Sequence, residues 1–348
     1  MTKRIILHCG LGKTGTSALQ VKFAQGREVM IEKLGLDYIK AGAFDDQVKG
    51  KISSGNGVQF AKSYLPVRNP SSLLHRQDEI TTEILYAIQN TPHDVLLSSE
   101  FFSALPVPDL AKLVGVLRRE GAVELVYFVR NQASLFASVY MQKVKRHGET
   151  GLPAASIDHW IKQRHQSFYY KRFIKLRDAL PNVPTHIRMY ESSRDHLQGV
   201  LGLFLETVGF DPGLDLGVED IPVNTSPSPL ELRLMLEINR FNPRMQFSDM
   251  LVEASAEAGR SRFHSEHSIL SPETLQKIKE TYDAENEAFF KEFFGTENQY
   301  DIDTEVDYVD LGTLVFEPHE VVSIIGGLMT KMDRRIAALE AAEQDRRK

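Results

Sequence analysis

Residues 4–25 read RIILHCGLGKTGTSALQVKFAQ. An apolar, β-branched run, Ile5 to Cys9, breaks into glycines, a lysine and hydroxyl side chains, and from Thr14 the apolar spacing turns helical as far as about Lys33, with Gly35 as its stop. A strand that turns through glycines into a helix is an anion site in outline. Glycine lets the backbone approach a ligand, N–H groups of the turn point inward, and the helix dipole favours negative charge. The position of Lys13 narrows the choice of anion. Gly10, Gly12 and Gly15 spell GxGxxG, but a dinucleotide turn needs no cation and wants an acid about 20 residues on, closing the second strand. The nearest acid, Asp37, is expected to precede a strand over Tyr38–Lys40. A triphosphate loop, GxxxxGK[ST], carries lysine after its second glycine, whereas Lys13 precedes Gly15. Nor does DVLLSSE (94–100) end in the plain aspartate that would hold magnesium.

Composition sets the class. The chain has 348 residues, 42% apolar and 25% charged, with a formal charge of −6, the profile of an ordinary globular protein and not of a nucleic-acid binder. A single cysteine, Cys9, allows no internal disulfide and points to a reducing, cytoplasmic setting. No stretch approaches the ~18 apolar residues that span a membrane, and the N-terminus shows no secretory apolar region.

Further strands are expected at Asp94–Ser98, Val123–Val129 and Thr185–Met189. Helical spacing falls between and after them, at 109–120, 133–146, 157–179 and 195–208. This alternation predicts an α/β fold, a doubly wound parallel sheet of about five strands, P-loop nucleotide-kinase-like, with a largely helical C-terminal part from about residue 227. Residues 40–57 are glycine-rich and expected to form an irregular loop. The expected organisation is one α/β domain over 1–300 and a C-terminal extension over 301–348 ending in a helix. In that helix Ile325, Met329, Met332, Ile336 and Leu339 step by 4, 3, 4 and 3, a heptad seam for which packing on the body and a homodimer contact are both open readings.

The segment Gly10-x-x-Lys13-Thr14-Gly15-Thr16-Ser17 after a strand resembles the 5′-phosphosulfate loop of sulfotransferases that use 3′-phosphoadenosine 5′-phosphosulfate (PAPS). LHCGLGKTGTSALQ (7–20) is similar to the HxGxxKTGT[TS]xLQ of their bacterial members. That family also grips the donor's 3′-phosphate with an arginine at a strand end and a serine eight positions on. ELVYFVRNQASLFASVYMQKVK (124–145) supplies Arg130 and Ser138 in that order. VLLSSEFFSAL (95–105), IRMYESS (187–193) and NTSPSPLELRLMLEINR (224–240) resemble further family segments. The RKGxxGDW loop of the cytosolic animal enzymes, which adds a second arginine to the 3′-phosphate, is absent; that second grip is then either supplied by Arg260 or Arg262 or missing.

The resemblance implies sulfuryl transfer from PAPS to a hydroxyl or amine, releasing 3′-phosphoadenosine 5′-phosphate (PAP). In it Lys13 neutralises the leaving bridging oxygen, Gly10, Gly12, Thr14, Gly15, Thr16 and Ser17 cradle the 5′-phosphate, and Tyr190 lies near adenine. The transferred group carries a single negative charge, so no metal is expected. Glu100, at the end of the third strand, is the candidate base, with a first-turn helix acid as its structural alternative; His8 is the rival base. The acceptor, a small molecule, lipid or carbohydrate, carries no signature. The run Lys143–Arg177 holds nine Lys or Arg against two acids, with Trp160, Phe168, Tyr169 and Tyr170 among them. It reads either as solvated helix faces or as a grip on an acidic or sugar-like acceptor. A kinase-like ATP enzyme and a non-catalytic nucleotide-binding module are the alternatives.

Overall fold

The computed structural model describes residues 2–42, 44–51, 53–163, 165–218, 226–241, 246–257 and 267–346. Five strands, β1 (Arg4–His8), β2 (Leu36–Tyr38), β3 (Asp94–Ser98), β4 (Ala122–Val129) and β5 (Thr185–Met189), form one parallel sheet in the order β2-β3-β1-β4-β5. Burial on both faces explains their near-continuous apolar sequences: Ile5, Ile6 and Leu7 of β1, Val95, Leu96 and Leu97 of β3, and Leu125 to Val129 of β4 have no exposed surface. Register places His8 beside Ser98 on one side and Val126 on the other. This is the α/β, P-loop-type sheet that the alternating sequence predicts, and a largely helical C-terminal part follows it.

The order of the strands locates the site. The chain leaves β1 for β2 and β3 on one side, then crosses to β4 and β5 on the other. The reversal falls at β1, and in an open α/β sheet the crevice for a ligand lies outside the carboxyl ends of the strands at that point. The glycine turn follows β1 directly.

By internal contacts the chain divides into two compact units. The first comprises 1–131, 165–224 and 284–299; the second comprises 132–164, 225–283 and 300–348. The first contains the whole sheet. Its core on one sheet face joins Leu19 and Phe23 from the helix Thr16–Gln25, Phe128 from β4 and Phe204 from the helix Val200–Thr207. Leu110, Leu113, Val114 and Leu117 bury one stripe of the helix Val107–Leu117 at i, i+3, i+4 and i+7. In the second unit Trp160 packs on Phe136 at 5.2 Å between ring centroids and on Tyr282 at 6.0 Å.

Several elements differ from the sequence expectation. The helix expected over 14–33 is two helices, Thr16–Gln25 and Arg27–Leu34, meeting at Gly26. A Cβ on Gly26 would stand 2.7 Å from Leu216 Cβ, so the residue without a side chain sits where the chain passes closest to that wall. The second strand is Leu36–Tyr38, not 38–40, and Asp37 lies inside it. The Asp37 carboxylate is forked by Arg27, with Nε to Oδ1 at 2.7 Å and Nη2 to Oδ2 at 2.9 Å, so it is engaged in a buried pair and does not face a ribose site. The helix expected over 157–179 is interrupted: Pro153–Gln163 and Tyr169–Ala179 are separate, and Phe168 leaves helical dihedrals. The seam Ile325, Met329, Met332, Ile336 and Leu339 is exposed, which corrects the reading that it packs on the body.

Candidate functional site at the carboxyl end of β1

The glycine turn is held open by backbone conformation. Gly12, Lys13 and Gly15 have φ of 68°, 60° and 72°, the left-handed region that glycine adopts freely and lysine at a cost of about 1–2 kcal/mol. Lys13 is the only non-glycine residue with positive φ among the described residues. Gly10 is required for a different reason: a Cβ there would stand 2.2 Å from Thr16 Oγ1. Thr14 and Thr16 are buried with their hydroxyls 3.4 Å apart, while Lys13 and Ser17 are half-buried. Gly15 precedes the helix Thr16–Gln25 as its N-cap and, among the described residues, makes no side-chain capping bond. The N–H groups there are therefore a natural anion site.

Strand ends around β1 bring the other candidates to this turn. Arg130 follows β4, and its Nη1 donates to the Lys13 carbonyl at 2.7 Å. Its guanidinium lies 5.2 Å from the Tyr190 ring centroid, a cation–π distance. Tyr190 follows β5, and its Cε2 stands 3.2 Å from where a Cβ on Gly15 would be. The Tyr169 hydroxyl donates to the Arg130 carbonyl at 2.6 Å and accepts from its N–H at 3.3 Å, pinning the backbone that aims the guanidinium. The neighbouring Asn131 N–H donates to Glu191 Oε1 at 3.0 Å. The sequence singles out Tyr169 only as one aromatic of the basic run, and Glu191 not at all. The segment IRMYESS contains Glu191, but nothing in the sequence distinguishes Tyr169 from its aromatic neighbours.

Glu100 opens the helix Glu100–Ala104, capped by Ser99, whose Oγ accepts from Phe101 N–H at 3.2 Å. Its carboxylate is exposed, with Oε2 3.9 Å from the Cβ position of Gly12. The geometry thus satisfies the helix-acid reading and also sets the carboxylate beside the turn. The Ser103 hydroxyl, 2.7 Å from both the Gly10 and Glu100 carbonyls, ties this helix to the turn.

His8 is differently placed. Its ring has no exposed surface and packs among Phe23, Phe128 and Phe204 at centroid distances of 6.5, 5.4 and 5.8 Å. Nδ1 lies 2.9 Å from Ser98 Oγ, which also accepts from Gln20 Nε2 at 3.1 Å, while Nε2 meets no partner among the described residues. Burial lowers its pKa to about 3, so the ring is neutral at physiological pH and walled off from solvent.

Ser138 lies in the second turn of the helix Gln132–His147 and is half-buried. Arg260 and Arg262 lie outside the described residues. In the basic run, Trp160 and Tyr169 are buried and therefore offer no ring face to a sugar. Its cations are in part committed: Arg146 to Asp249, and Arg177 to Glu292.

No protein-family model matches the chain. It is 25% identical over 207 residues to an uncharacterized protein of Archaeoglobus fulgidus, an alignment that covers 59% of this chain and 55% of that protein. The chain thus spans about half the length of that curated relative. Among solved structures it is similar to a sulfotransferase from Alicyclobacillus acidocaldarius, at a TM-score of 0.42 and 14% identity, over 71% of this chain and 93% of the other. It is also similar to a retinol dehydratase in complex with androsterone and inactive cofactor PAP, at a TM-score of 0.31 and 11% identity, over 69% and 65%.

No helix among the described residues is long and apolar enough to cross a membrane.

Proposed function

We propose that this chain is a PAPS-dependent sulfotransferase, transferring the sulfuryl group to a hydroxyl or amine and releasing PAP. The observation that carries the reading is the meeting of Arg130, Lys13 and Tyr190 over one glycine turn, from three separate strand ends. A kinase-type loop needs its lysine beyond the second glycine and a magnesium-holding aspartate; a 3′-phosphonucleotide needs a second cation besides the loop's lysine, and Arg130 supplies one.

The residues fit the donor's groups. Three left-handed residues and an uncapped helix start would hold the 5′-phosphate through N–H groups, with Thr14, Thr16 and Ser17 adding hydroxyls. Arg130 would fork onto the 3′-phosphate, which its guanidinium geometry suits, and Tyr190 would stack on adenine. Ser138 is assigned to the 3′-phosphate on its eight-residue spacing from Arg130. Sulfuryl transfer resembles phosphoryl transfer in its loose, in-line character, so the protein's part is positioning and charge stabilisation. Lys13 would neutralise charge growing on the departing bridging oxygen. Glu100, exposed beside the turn, would take the acceptor's proton; the buried, neutral His8 is not assigned that step.

Parallel calorimetric titrations with PAP, ATP plus magnesium, and NAD test the reading. It requires PAP to bind tightest. ATP with magnesium winning would return the site to a kinase-like enzyme, and PAP binding without any cleavage of PAPS, across acceptors of several classes, would leave a binding module.

A further inference from the structure

The last helix, Pro318–Arg346, packs one face and leaves another bare. Ile324 is buried, a Cβ on Gly327 would stand 3.1 Å from Ala254 Cβ in the helix Gln246–Glu257, and Lys331 pairs with Glu253 at 3.1 Å. From Met332 to Gln344 every residue is exposed. An uncovered helical end of this length is marginal in water. Along it Val322, Ile325, Met329, Met332, Ile336 and Leu339 step by 3, 4, 3, 4 and 3. Each is between 48% and 67% exposed, and no described residue covers the seam they form.

We infer that this seam is covered by the same seam of a second copy, in a parallel, in-register, two-stranded coiled coil. Val322, Met329 and Ile336 take the a positions and Ile325, Met332 and Leu339 the d positions. β-Branched residues at a and leucine at d favour two strands, as at Val322, Ile336 and Leu339. Charge sets the direction. Arg335 falls at g and Glu340 at e, five residues apart, so a parallel pair brings each copy's Arg335 against the other's Glu340, twice by symmetry. Asp333, also at e, meets the uncharged Leu328 at g. An antiparallel pair would set e against e, where Asp333 and Glu340 are both acids, and would forfeit both attractive contacts.

Sedimentation equilibrium on the full chain over about 1–100 µM is expected to show a monomer–dimer equilibrium. A monomer throughout, or a trimer, would overturn the proposal. Ile336→Lys lies on the exposed end and should weaken dimerisation by about 100-fold or more, with melting of the body retained; an unchanged dimer would mean that another surface pairs. Arg335→Glu and Glu340→Arg should each weaken self-association by about tenfold, and the two variants mixed should pair with each other in preference to themselves. A mixture no tighter than its components would rule out the parallel register.

Discussion

Arg130 Nη1 donates to the backbone carbonyl of Lys13 across 2.7 Å, joining the end of β4 to the glycine turn after β1. The guanidinium thereby braces the one strained lysine of the turn while lying 5.2 Å from the Tyr190 ring centroid. A residue so placed can serve both the turn's geometry and a bound anion. Arg130→Ala is therefore expected to weaken PAP binding by about 2–4 kcal/mol, as loss of one partner of a charge pair does, measured by titration calorimetry. Arg130→Lys should recover only part of it, since an ammonium cannot fork. Unchanged PAP affinity in Arg130→Ala would remove the 3′-phosphate assignment.

Lys13 should matter to turnover more than to binding. Charge on the bridging oxygen grows only as its bond breaks, so the ammonium is expected to stabilise the transition state above the ground state. Lys13→Gly and Lys13→Ala should both lower kcat about 100-fold or more, with a much smaller change in PAP affinity. The glycine variant relieves the left-handed strain at φ 60° and should melt no lower than the wild type. A loss of donor affinity with kcat unchanged would assign Lys13 to binding alone.

Protonation of His8 should weaken the fold. Its pKa is about 3 in the folded chain against an ordinary 6.5, so between those values the unfolded chain binds the extra proton. Stability from this group is complete above pH 6.5 and is lost as pH falls toward 3. Between pH 7 and 5 the loss is about 2 kcal/mol. His8→Asn should lose less stability than the wild type over that interval, read as urea midpoints at the two pH values. If the two chains lost stability in parallel, His8 would not be neutral in the fold.

Asn56 is expected to be a stability residue. Its Nδ2 donates to the carbonyls of Ile39 and Leu96 at 3.1 and 3.0 Å, and its Oδ1 accepts from Ser98 N–H at 2.8 Å. It thus clamps the carboxyl ends of β2 and β3 behind Glu100. Asn56→Ala strands several buried backbone groups and should cost about 3 kcal/mol or more, visible in a denaturant midpoint; a cost below about 1 kcal/mol would show that water or a shift of the loop replaces the clamp.

Glu100→Gln tests the base through the pH profile of kcat. If Glu100 takes the acceptor's proton, the variant should lose most of its rate together with the acidic limb of the profile. An unaltered profile would return Glu100 to its role as a first-turn helix acid.

The central strands were legible because buried parallel strands are written as apolar runs, and β3 falls on the expected residues; β5 does so too, although only Ile187 of its five residues is buried. The turn was legible because glycines and a lysine between a strand and a helix have few other uses. Side-chain convergence was less so. Tyr169, Ser103 and Asn56 act through long-range hydrogen bonds, which leave no local pattern. Asn56 in particular lies in a stretch that reads as an irregular loop. The aromatic residues of the basic run misled in the opposite sense: Trp160 and Tyr169 look available in sequence and are core in the fold. The terminal seam was visible as a heptad, but only its exposure separates a contact between copies from packing on the body.

A grip on the 3′-phosphate is read from the ratio of PAP to 5′-AMP affinity in the wild-type chain by titration calorimetry. The two ligands differ only in that phosphate. PAP is expected to bind at least about 30-fold tighter, the equivalent of about 2 kcal/mol. Equal affinities would contradict it, leaving a phosphate turn that serves a different nucleotide.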